Sequence, residues 1–218
     1  MLKGIHLVIY DLDGTLIDST EAIVETFNLV VEEQGEAPCP RGQIEKMIGL
    51  PLTDMFRRVL PPAKHGEVQA CWDRFIEIYA DIGPAKTHIL PGVQETLAHF
   101  KADGYLQAVA TTKRGDVATR LIRKLGLGDY FDLILGINDV VHPKPAPDII
   151  KLTLERLGVK PHEAVFVEDT TIGLEAGIRS SVHTVGVTTG THSIDTLATL
   201  HPDYIINGLS ELTELIRH

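Results

Sequence analysis

Residues 5–10, Ile-His-Leu-Val-Ile-Tyr, form a short, mostly apolar run that stops at Asp11. A run of this length predicts a strand buried on both faces, as strands of parallel sheets are. Similar runs recur at 106–110, ending at Thr111, at 132–135, at 164–167, ending at Glu168-Asp169, at 182–187 and at 204–206. Between them, apolar residues fall at helical spacing over 93–101, 117–125 and 147–157. Strand alternating with helix predicts an α/β fold: a Rossmann-like parallel sheet with right-handed crossovers.

One stretch breaks that rhythm. Ile23, Phe27, Val30 and Val31 keep helical spacing, and so do Val68, Trp72, Phe75, Ile76, Tyr79 and Ile82, with no strand-like run between the two groups. Residues 18–87 therefore read as a helical insert, closed by Gly83-Pro84, in a core made of residues 1–17 and 88–218. The chain would cross between insert and core near Ile17 and His88, a place for a hinge.

Composition removes some function classes. The chain has 218 residues, 44% hydrophobic and 23% charged, with a formal net charge of −10. That balance is globular and acidic, which argues against non-specific binding to nucleic acid or an anionic membrane. Cys39 and Cys71 show no metal-site spacing, so a reducing, cytoplasmic setting is expected. The apolar start is too short for a signal peptide, and no run reaches membrane-spanning length.

Asp11-Leu12-Asp13-Gly14-Thr15 follows the first predicted strand. In extended chain, residues two apart share a face, so Asp11 and Asp13 can address one site at the carboxyl edge of the sheet, where such folds bind ligands. Gly14 permits the turn that follows. Alone, these residues read equally as a polar turn. Asp169 alone reads as a helix cap, Thr111 as a strand-end hydroxyl, and Lys144 as a solvated loop lysine.

Taken in order, the Asp11–Thr15 motif, Thr111, Lys144 within His142-Pro143-Lys144-Pro145, and Glu168-Asp169 resemble the haloacid dehalogenase-like superfamily over nearly the whole chain. The resemblance implies that Asp11 attacks phosphorus and that Asp13 protonates the leaving oxygen and later deprotonates water. It implies Mg²⁺ held by Asp11, Asp169 and the Asp13 carbonyl, with Glu168 either a further ligand or, the preferred reading, behind the ligands. Lys144 and Thr111 would stabilise the phosphoryl oxygens. Gly14, Thr112 and Lys113 are further candidates for binding substrate phosphate, although a solvated Lys113 is the plainer expectation. The histidines show no ligand or triad spacing.

Within the superfamily, Asp13 argues against a dehalogenase, which needs no leaving-group acid. The loop at 47–54, Met-Ile-Gly-Leu-Pro-Leu-Thr-Asp, has no lysine after Gly49, as a phosphonatase would require. Leu52 and residues 19–23 lack the arginine and histidine of the sugar phosphomutases, which stand second. The chain looks most like phosphoglycolate phosphatases and pyrophosphatases with a helical cap. A small phosphorylated metabolite is the expected partner of a monomer or homodimer. A phosphate-binding regulatory protein is the non-enzymatic alternative; loss of Asp11, Asp13, Lys144 or Asp169 would favour it, and all four are present. The apolar tip Gly49-Leu50-Pro51-Leu52 suggests tolerant specificity, unless Lys46, Arg57 or Arg58 pairs with a substrate carboxylate.

Overall fold

The structure is a computed structural model, and it describes residues 1–216. Strand β1 (Leu7–Tyr10) is followed by a short β2 (Ile17–Asp18) and four helices: α1 (Thr20–Glu33), α2 (Arg41–Glu45), α3 (Leu52–Val59) and α4 (Val68–Lys86). The chain returns through β3 (His88–Ile89) to α5 (Val93–Ala102), β4 (Leu106–Ala110), α6 (Gly115–Lys124) and β5 (Leu133–Leu135). It continues with α7 (Asp148–Leu157), β6 (Ala164–Glu168), α8 (Thr171–Arg179), β7 (His183–Val187), α9 (Ile194–Ala198), β8 (Tyr204–Ile206) and α10 (Leu212–Leu215).

Six strands form one parallel sheet in the order β5-β4-β1-β6-β7-β8. The first strand is therefore central, flanked by β4 and β6. Its alternation serves two cores: Val8 and Tyr10 pack with one hydrophobic cluster, Leu7 and Ile9 with the other. That double burial is why the run is apolar at every position rather than at every second one. The sheet reverses direction of growth at β1, where chain order runs outward to β4 on one side and β6 on the other, and the carboxyl ends there frame a crevice.

Residues 20–86 hold helices α1 to α4 with no strand among them. Helix α1 packs along α4, and Phe27 stacks on Phe56 of α3 at 4.5 Å between ring centroids. The two crossings lie side by side: Ile17 pairs with Ile89 and Asp18 with His88 as a small antiparallel ladder. One detail differs from the sequence reading: Gly83-Pro84 does not close the helical segment, because α4 runs through Pro84 to Lys86. A proline in the last turn forfeits only one helical hydrogen bond, so the helix survives it. Gly83 is there for packing; a Cβ on it would lie 2.5 Å from the Tyr79 ring. No described helix is long and apolar enough to cross a membrane.

Candidate active site

Asp11 directly follows β1, and its amide still donates to the Val167 carbonyl of β6 at 2.9 Å. This ladder fixes the Asp11 backbone beside Glu168, which ends β6, and Asp169, which follows it. The three carboxylates are buried, and one oxygen from each lies within 4.8 Å of the others. Lys144, 4% exposed, enters from the loop before α7. Its Nζ donates to Asp11 Oδ1 at 2.7 Å and to Glu168 Oε2 at 2.8 Å, and stands 4.8 Å from the centre of the Phe166 ring. Lys144 is thus not the solvated lysine its loop sequence would suggest.

Glu168 has no oxygen to spare. Oε2 takes Lys144, and Oε1 accepts from the Asp169 and Thr170 amides and from the Thr170 hydroxyl. Asp169 differs. Thr15 donates to its Oδ1 at 3.1 Å, while its buried Oδ2 has no hydrogen-bond partner among the described residues. The space around Oδ2 is kept open by two glycines. A Cβ would come within 2.3 Å of this atom from Gly14 and within 1.8 Å from Gly190. Thr189 fastens the two loops together by donating to the Gly14 carbonyl at 2.7 Å. Asp169 is not the cap of α8; Thr170 is, accepting from the Gly173 amide.

Charge follows from this packing. Burial, then the neighbouring Glu168 carboxylate, push the Asp11 carboxyl up to about 7 from its usual 3.8, against the pull of Lys144. Burial also raises Asp169, helped by Glu168 and Asp11. Burial pulls Lys144 down, but its two carboxylate partners outweigh that and hold it firmly protonated. Three carboxylates against one ammonium leave an excess of two negative charges when all are ionised. A buried carboxylate oxygen without a donor, in an all-oxygen set with that charge excess, fits a hard divalent cation.

Asp13 lies apart from this cluster. Ser19 donates to its Oδ1, and Lys113 pairs with its Oδ2 at 3.2 Å. Lys113 is also within 3.4 Å of the Tyr79 hydroxyl and 4.5 Å of the Tyr79 ring centre. The expectation of a solvated Lys113 is therefore corrected: a core carboxylate and an α4 aromatic cover it on two sides. Burial lowers its affinity for a proton, but Asp13 and Tyr79 more than compensate. Thr111, buried at the end of β4, accepts the Lys113 amide at 3.2 Å. Thr112 and Lys113 line a cavity beside Asp13, and Gly14 lines a second cleft with Asp169. Ser19, Tyr79 and Gly190 carry no motif signal of their own, and only their contacts reveal them. His142 pairs with Asp148 at the surface, away from the cluster.

The class this defines is an open parallel α/β protein with an acidic, lysine-clamped site at the carboxyl edge of its central strand. Comparison with known proteins names it more closely. The family model for haloacid dehalogenase-like hydrolases matches residues 8–187, and the chain belongs to that family. It is 36% identical over 209 residues to the "Probable phosphatase IndB" of Dickeya dadantii, covering 94% of this chain and 91% of that protein. It is 31% identical over 217 residues to the pyrophosphatase PpaX of Bacillus velezensis, covering 98% and 97%. Its fold matches the crystal structure of a haloacid dehalogenase-like hydrolase from Bacteroides fragilis with a TM-score of 0.90 at 27% identity, covering 95% and 99%.

Proposed function

We propose that this enzyme is a magnesium-dependent phosphatase that hydrolyses small phosphate monoesters through a phosphorylated Asp11. The observation that carries the reading is the clamp on Asp11. Lys144 holds Oδ1 at 2.7 Å and fixes the carboxylate, leaving Oδ2 as the nucleophilic oxygen. Asp11 Oδ2 attacks phosphorus as the bond to the alcohol oxygen breaks. Asp13, held to one side by Ser19 and Lys113, delivers a proton to that departing oxygen. Asp13 then takes a proton from the water that attacks the phosphoryl group on Asp11, releasing phosphate and restoring both carboxyls. Lys144 and the Thr111 hydroxyl stabilise charge on the phosphoryl oxygens.

Asp11, Asp169 and the Asp13 carbonyl are the residues proposed to hold Mg²⁺, with Glu168 fixing Lys144 from behind. The bound ion would supply charge neutralisation that lets one anion approach another. Gly14, Thr112 and Lys113 are proposed to border the bound substrate. Helices α1 to α4, within residues 18–87, would act as a cap over a core of residues 1–17 and 88–218. The relatives named above favour phosphate ester or pyrophosphate hydrolysis over mutase chemistry.

The test is Asp11→Asn. It should abolish release of phosphate from p-nitrophenyl phosphate while leaving the circular dichroism spectrum unchanged. A variant retaining most of kcat would remove Asp11 from the mechanism.

A further inference from the structure

Resting on the phosphatase reading, we infer that the preferred substrate is a phosphate monoester whose alcohol part is uncharged and carries a flat apolar ring. A cavity opens beside Asp13, between α4, the loop at Gly49 and the core. It is narrow, with about 70 Å³ of space open to a water-sized molecule. A group leaving toward Asp13 would pass into it.

Its walls are apolar and, on one side, aromatic. Trp72, Phe75 and Tyr79 occupy one face of α4, with Phe75 and Tyr79 stacked at 5.3 Å. Ile48 and Leu50 from the loop at Gly49 and Leu52 at the start of α3 also line it. The cations at this wall are already engaged: Lys113 with Asp13 at 3.2 Å, and Arg114 with Asp116 at 2.9 Å. Arg57, which could have reached in to read a carboxylate, instead pairs with Asp54 at 3.0 Å. A carboxylate or second phosphate in this cavity would lose its hydration and have to compete with Asp13 and Asp116 for Lys113 and Arg114.

The second cleft beside Asp13 is lined by four acids, Asp13, Asp18, Glu45 and Asp169, against two cations, Arg41 and Lys46. Arg41 is spent on Glu45 at 2.6 Å, whereas Lys46 has no ion pair among the described residues. The apolar exit thus disfavours the leaving groups of phosphoglycolate and pyrophosphate. A planar apolar ring suits the aromatic face, where offset or edge-on ring contacts add to the burial of its area.

The experiment compares kcat/KM for benzyl phosphate, phosphoglycolate and pyrophosphate with saturating Mg²⁺, and includes acetyl phosphate as a small generic substrate. Benzyl phosphate should exceed both anionic substrates by about tenfold or more, the scale on which apolar pockets discriminate. Trp72→Ala should then lower kcat/KM for benzyl phosphate, chiefly through KM, about tenfold more than for phosphoglycolate, and Trp72→Phe should restore most of the difference. Equal or greater activity on phosphoglycolate or pyrophosphate overturns the inference while leaving the phosphatase reading intact. Equal losses on all substrates in Trp72→Ala also overturn it. Failure to hydrolyse any of the four, acetyl phosphate included, overturns the phosphatase reading and this inference with it.

Discussion

Gly49, in the loop between α2 and α3, touches Thr170 so closely that a Cβ on it would lie 2.9 Å from Thr170 Cγ2. Gly49 also has φ of +101°, where side chains are strained. Thr170 follows Asp169 and caps α8. This one contact therefore ties the helical segment to the loop that positions the acid cluster. Gly49→Ala should lower stability by roughly 1–3 kcal/mol from strain and reduce kcat/KM by displacing the loop. Thr170→Ser keeps the capping hydroxyl and removes the clashing methyl, so the double variant should regain part of the activity but not the strain. Thermal melts and kinetics on the single and double variants check this; a double variant no more active than Gly49→Ala would mean that the contact is not what matters.

Lys144 is the cation that the described structure sets between Asp11 and Glu168. Replacing it with Met leaves both carboxylates without their buried partner. Breaking one side of a buried pair typically costs about 3–5 kcal/mol. Lys144→Met should melt at markedly lower temperature near neutral pH, recover part of that loss in acid, where the carboxyls protonate, and be inactive. Circular dichroism melts across pH measure it; a loss that does not change with pH would point to packing rather than charge.

The metal-free protein should show an inverted pH response at this site. The Asp11 carboxyl is raised to about 7, and Asp169 is raised too, so the folded state holds protons that the unfolded chain has released. Their contribution to stability is therefore present below about pH 4 and is lost as pH climbs toward about 7. A divalent cation binds the ionised form and reverses the penalty. The rise in melting temperature caused by Mg²⁺ should be larger at about pH 8 than at about pH 5.5. Scanning fluorimetry with Mg²⁺ or a chelator decides it, and an increment independent of pH would argue against binding at these carboxylates.

Asp13→Asn should separate leaving groups. An alkoxide needs a proton as it departs, and a nitrophenolate largely does not, with general acid catalysis typically contributing 10²–10⁴-fold. The variant should lose at least about tenfold more kcat/KM on benzyl phosphate than on p-nitrophenyl phosphate. Equal losses would reduce Asp13 to a structural role.

The strand runs and the acid motif were legible because they obey local rules. A strand buried on both faces must be apolar throughout, and carboxylates two apart on extended chain share an edge. Chain order, through its resemblance to the ordered motifs of a known family, brought Asp11, Thr111, Lys144 and Glu168-Asp169 together as a recognisable set. It could not show that Glu168 is saturated by Lys144 and Thr170 while Asp169 Oδ2 is left without a donor, because that depends on which oxygens face which donors after β1 and β6 pair. It misjudged Lys113, since a lysine after a strand is usually solvated, and only the packing of α4 against α6 brings Tyr79 over it. It also misread Gly83-Pro84 as a stop, although a last-turn proline is tolerated and the glycine makes room for that same tyrosine. Local pattern thus determined which elements form and which residues are candidates to carry chemistry. Long-range packing decided which charges are paired and what kind of surface stands opposite Asp13, because burial and partnership belong to no single stretch of chain.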